Sequence, residues 1–209
     1  MIRLRIFDLD RTLLRGTSSF KFFFYLIKMK RLPFYSLLKA IPLFVLFRLG
    51  KLSLAQFHDR AFRVFLNGRP KTLFTDAVEP FLDLYFSRMA DANLVSLIEQ
   101  SHTLLLSSSP DFLVGPIARR LGIENWRGSE YVIDKELNFC KISSLVGGWE
   151  KLRLSRSFAR QLSIPPESIA AYSDSDDDLP LLEWVGFANA VRPNKGLRRA
   201  AAKRGWNIL

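Results

Sequence analysis

Two aspartates spaced two apart, Asp8 and Asp10, stand directly after the short apolar run 4–7. A carboxylate can attack phosphorus and hold it as an acyl phosphate. A second acid over the leaving oxygen can protonate it, then deprotonate the attacking water. Such a pair can also do no more than cap the next turn. Two further apolar runs end in groups of similar use: 103–106 in Ser107-Ser108-Ser109-Pro110, and 169–172 in Ser173-Asp174-Ser175-Asp176-Asp177-Asp178. Lys151 and Lys141 are candidate cations for such a site. His58 and His102 are isolated and read as structural or surface groups. The four tryptophans read as packing residues, and Gly147-Gly148 is not a phosphate loop, since no GK[ST] follows.

These groups need elements to hold them. The runs 4–7, 103–106 and 169–172 are the length of buried strands, and 186–191 suggests a fourth. Residues 131–133 and 137–140 flank Asp134-Lys135-Glu136 as a hairpin. Between the strands the spacing is helical: 18–68, divided near Pro33 and Gly50–Ser53; 71–100, broken near 89–93; 112–121, closed by Gly122; 151–162, stopped by Pro165-Pro166; and a helix from 179. Strands alternating with helices predict an α/β fold, a Rossmann-like parallel sheet with helices on both faces. Ligands sit at the carboxyl ends of such strands. The expected division is a core of residues 1–15 and 80–209, with a helical cap, 16–79, inserted after the first strand.

The ordered motifs resemble the haloacid dehalogenase superfamily of aspartate-nucleophile phosphatases, in its phosphoserine-phosphatase-like branch. They are Asp8-Leu9-Asp10-Arg11-Thr12, Leu104-Leu105-Leu106-Ser107, Lys151, and Ser173-Asp174-Ser175-Asp176-Asp177-Asp178. The resemblance implies Asp8 as nucleophile and Asp10 as general acid and base. It implies Ser107 on a phosphoryl oxygen and Lys151 neutralising the transferring group. Asp8, Asp174, the Asp10 carbonyl and Asp178 would serve Mg²⁺, a hard cation content with few protein oxygens and several waters. Thr12, Ser108, Arg11 and Asp177 would meet the substrate. Arg11 stands where glycine is frequent and Ser173 replaces the usual glycine. Phosphoryl transfer depends on positioning and on cations around the equatorial oxygens, which this set supplies.

Charge separates one segment from the rest. Residues 1–58 carry eleven Lys/Arg against Asp8 and Asp10, and no acid lies between Asp10 and Asp59, whereas residues 59–209 nearly balance. The same segment holds the apolar runs FKFFFYLI and AIPLFVLF, which Pro33 and Pro42 are expected to break, and neither is long enough to span a bilayer. A basic, apolar cap suits an anionic membrane surface and resembles the caps of bacterial phosphatidylglycerophosphate phosphatases. The lack of an early acid counts against phosphoserine, whose ammonium would want a carboxylate. The expected activity is Mg²⁺-dependent hydrolysis of a small or lipid-linked phosphomonoester. Phosphoserine phosphatase, phosphatidylglycerophosphate phosphatase and a non-catalytic basic binding module are the alternatives. No nucleic-acid motif is present, so nucleic acid is not an expected partner. The opening residues lack a cleavable signal pattern, which predicts a cytoplasmic chain, peripheral at the inner membrane face. One cysteine, Cys140, excludes an internal disulfide framework and a Cys-based zinc site, and 48% hydrophobic residues exclude disorder.

Overall fold

The sequence LRIFD gives strand β1 (Leu4–Asp8), which alternates its side chains between two layers. Leu4 and Ile6 join one buried cluster and Phe7 joins the other, all three without exposed surface. The computed structural model describes residues 1–98 and 102–209 and, of Arg48, the backbone alone. The expected helical stretch to Gln100 therefore runs out of the described residues. Before that point it divides into α4 (Lys71–Met89) and the short α5 (Ala92–Val95).

β1 pairs in parallel with β2 (His102–Pro110) on one side and β5 (Ile169–Ser173) on the other. The remaining strands are β3 (Asn125–Ile133), β4 (Phe139–Ser144), β6 (Phe187–Ala190) and β7 (Asn207–Ile208). The sheet order is β4-β3-β2-β1-β5-β6-β7, antiparallel only between β3 and β4. The chain leaves β1 toward β2 and later returns to its other edge. That reversal opens a crevice at the β1 carboxyl end, the usual ligand position in such sheets.

Helices α6 (Asp111–Arg120), α7 (Gly148–Gln161), α8 (Leu179–Trp184) and α9 (Lys195–Arg204) connect the strands. α7, α8 and α9 contribute to the cluster around Leu4 and Ile6, and α4 and α6 to the one around Phe7. Between β1 and β2 the chain also builds α1 (Ser18–Lys28), α2 (Tyr35–Arg48) and α3 (Leu54–Phe65). α3 begins with a capping box in which the Ser53 hydroxyl and the Gln56 side chain satisfy each other's backbone N–H. Residues 79 and 80 both lie inside α4.

Three local expectations change. Pro42 does not break the second run: it sits inside α2, at the cost of one backbone hydrogen bond. β2 continues past Leu106 through the serines to Pro110, with its register against β3 shifting between those two residues. The hairpin is the far half of a longer strand, since Leu104, Leu105 and Leu106 pair with Asn125, Trp126 and Arg127 before β3 turns back along β4. The Asp134 carboxylate closes that turn by accepting the N–H groups of Glu136 and Asn138, each at 2.9 Å.

Candidate active site

The carboxyl ends of β1, β2 and β5 meet at a cavity of about 220 Å³. Eight of the ten expected residues line it: Asp8, Asp10, Arg11, Ser108, Lys151, Asp174, Asp177 and Asp178. Thr12 and Ser107 do not line it. Thr12 is wholly buried, its hydroxyl without a hydrogen-bond partner among the described residues, and the Ser107 hydroxyl accepts the Ser109 N–H at 3.1 Å.

Lys151, in the first turn of α7, donates 2.7 Å hydrogen bonds to Asp8 Oδ1 and to Asp178 Oδ2. Lys141 is exposed on β4 and is not part of the site. Burial alone would lower the Lys151 ammonium, but the Asp178 and Asp8 carboxylates outweigh it and keep the group charged. The Ser173 hydroxyl donates a second bond, 2.6 Å, to Asp178 Oδ2, so the serine in the glycine position fixes that carboxylate. α7 reaches this spot because Gly148 lacks a side chain. A Cβ there would fall 1.8 Å from the Asp177 carbonyl oxygen.

Asp10 is held from two sides. The Ser109 hydroxyl donates to Oδ2 at 2.5 Å, and the first backbone N–H of α1, at Ser18, donates to Oδ1 at 2.5 Å. Burial raises the Asp10 pKa, with these two bonds opposing it. A carboxyl raised by burial holds a proton more readily, as a general acid requires. Arg11 takes a left-handed backbone with φ of 63°, which explains why glycine is at home in this position. Its Nε lies 3.2 Å from Asp174 Oδ2. The turn is pinned from behind by Arg192, which donates to the Arg11 and Thr12 carbonyls and, at 2.7 Å, to the buried Asp91.

Asp8 is pushed up to about 7 by burial and by the Asp178 and Asp174 charges, against the pull of Lys151. Asp174 is pushed up to about 6, chiefly by burial. The site thus gathers more carboxylate than Lys151 and Arg11 can neutralise, and a divalent cation suits that deficit. Among the described residues no three His, Cys, Asp or Glu side chains form a closed metal cluster.

The family description of haloacid dehalogenase-like hydrolases matches residues 6–183. The chain belongs to that family. The chain is 34% identical over 134 residues to a protein of Mycobacterium tuberculosis named a probable phosphatase, covering 64% of this chain and 46% of that one. The chain thus spans less than half the length of that curated relative. Its fold matches a protein of unknown function from Bordetella pertussis with a TM-score of 0.84, 22% identity, and 100% and 99% of the two chains covered. A substrate-bound phosphoserine phosphatase matches with a TM-score of 0.72, 14% identity, and 95% and 90% covered.

Sequence reasoning missed Ser18, Gly148, Arg192 and His58. Arg192 lies in the tail after β6 and Ser18 at a helix start, so neither carries a local signature. His58, read as isolated, lines the same cavity.

Proposed function

We propose that the protein is a Mg²⁺-dependent phosphomonoester hydrolase working through an aspartyl phosphate on Asp8, with residues 16–79 covering the substrate. The observation that carries this reading is the Lys151 ammonium bridging Asp8 and Asp178 beside a separately held Asp10. Asp8 attacks phosphorus as the bond to the leaving oxygen breaks, and Asp10 gives that oxygen a proton. Water then attacks the phosphoryl group, Asp10 takes its proton, and inorganic phosphate leaves with Asp8 restored. Lys151 keeps Asp8 oriented and balances charge on the transferring oxygens. Asp8, Asp174 and the Asp10 carbonyl would hold Mg²⁺, with Asp178 orienting its waters. When bound, the ion screens the repulsion between Asp8 and the phosphate dianion.

The test is hydrolysis of p-nitrophenyl phosphate. Activity that requires Mg²⁺, is lost in EDTA and is lost in Asp8→Asn supports the reading. Activity that survives Asp8→Asn overturns it. Acid-quenched enzyme should carry phosphate on the peptide that contains Asp8.

The same reading includes an anionic membrane surface as partner. Phe34, Leu38, Ile41, Val45 and Leu49 form an exposed stripe along α2 at helical spacing. Lys28, Lys30, Arg31, Lys39 and Lys51 are exposed nearby in sequence, with no acid among them. Among the described residues no helix is long and apolar enough to cross a membrane, so the contact would be interfacial. Co-sedimentation with anionic but not neutral vesicles, weakened by salt, is the expected result.

A further inference from the structure

The charged strand ends account for one end of the cavity. The other walls come from α1, α2 and α3 and are apolar, with Phe23, Phe24, Leu43, Phe47, Phe57 and Phe62 among them. Among the described lining residues from these three helices, there is no carboxylate, lysine or arginine. A leaving group bearing an ammonium or carboxylate would be desolvated there without a partner, which is costly. A hydrocarbon chain would lose only contact with water, which is favourable.

Two polar side chains interrupt this lining, Ser19 at the start of α1 and His58. His58, on α3, faces the cavity and makes no hydrogen bond to another described residue, and its ring stands edge-on to Phe57 at 5.8 Å. Burial pushes it down to about 4, so at neutral pH it offers one N–H donor and one acceptor nitrogen. His58 is half-buried, so its ring nitrogens are open to a hydrogen bond from a ligand or water in the cavity.

We infer that the substrate is a phosphomonoester of an uncharged, largely apolar alcohol, whose chain fills the α1–α3 cavity and carries an oxygen that hydrogen-bonds to His58. The inference rests on the hydrolase reading above and narrows it. A free alkyl ester and a membrane lipid share this chemistry.

Calorimetric binding of methyl-, butyl- and octylphosphonate in Mg²⁺ tests the cavity without requiring turnover. Each buried methylene should tighten binding about fourfold, so octylphosphonate should bind on the order of 10²-fold tighter than butylphosphonate. The amino-acid phosphonate 2-amino-4-phosphonobutyrate should bind more weakly than butylphosphonate. An ether-containing phosphonate of octyl length should lose about fivefold more affinity than octylphosphonate in His58→Leu. Affinity independent of chain length, or strongest for the amino-acid analogue, overturns the inference. Equal losses for the two chains in His58→Leu overturn the role of His58. Absence of p-nitrophenyl phosphate hydrolysis would refute the hydrolase reading while leaving the binding order to judge the cavity. Phosphate release from octyl phosphate or from phosphatidic acid vesicles, faster than from phosphoserine, supports the inference, and the ratio of the first two distinguishes a free ester from a lipid source. Phosphoserine turned over faster than both overturns it.

Discussion

Beneath the cavity, the strand ends hold four aspartates and an arginine in a net of short contacts with Lys151 of α7. Over it, α1, α2 and α3 present phenylalanines, leucines and one histidine. The lower half is fixed by hydrogen bonds: Lys151 to Asp8 and Asp178, Ser173 to Asp178, Ser109 and Ser18 to Asp10. The upper half is held by ring packing, such as Phe23 stacked on Phe65 at 4.5 Å and Phe47 on Phe57 at 4.6 Å. Directional bonds fix the atoms that react in the proposed mechanism, whereas non-directional packing suits a bound apolar chain. On the proposed reading, reaction and choice of substrate fall to different segments of the chain.

Substitutions below the cavity should therefore act on rate for every substrate. Asp8→Asn should lower turnover of p-nitrophenyl phosphate by on the order of 10³-fold or more in a steady-state assay. Asp10→Asn should cost roughly 10²–10⁴-fold on an alkyl phosphate, whose leaving oxygen needs a proton. It should cost less on p-nitrophenyl phosphate, whose leaving group departs as a stable anion. Equal losses on the two would break the assignment of Asp10 as the acid.

Lys151→Met should destabilise the protein by about 3–5 kcal/mol in urea unfolding at pH 8, because it strands buried carboxylates. The loss should shrink at pH 5, where Asp8, raised to about 7, is protonated. The pH dependence of the metal-free wild type should be gentler. Asp8 and Asp174 keep protons in the folded chain from about pH 4 up to about 7 and 6, where the unfolded chain has already released them. Folded protein thus binds more protons in that window, and stability falls as pH rises through it. Thermal melts in EDTA should show a higher Tm at pH 5 than at pH 8, and Mg²⁺ should raise Tm more at pH 8.

Above the cavity, effects should be smaller and selective. Ser53→Ala removes the capping box of α3 and should cost about 1 kcal/mol. It should raise KM for long-chain esters and leave turnover of p-nitrophenyl phosphate unchanged. A rate loss on both would mean that the two halves are not separable.

The sheet was readable because its central strands are short apolar runs that each end in a chemical group: Asp8, Ser107 and Asp174. Lys151 was readable from its place at the start of an amphipathic helix. What holds these groups was not. Ser109 meets Asp10 across 99 residues of chain, a pairing that no local pattern encodes. Gly148 matters through a carbonyl some thirty residues away, and a lone glycine pair signals no such approach. The two apolar sides of α2 blur its periodicity, so the sequence alone could not say which side faces the cavity and which faces out. His58 sits among aromatic residues whose packing, not their spacing, turns it inward.

The bond from the Ser18 amide to Asp10 joins the first turn of α1 to the carboxyl proposed as the acid. Any hinge-like swing of α1 about residues 11–17 must stretch that bond. With it stretched, the carboxyl loses a donor that favours its ionised form, and its affinity for a proton rises. A single amide would then report to the reacting groups whether the compartment above them is shut.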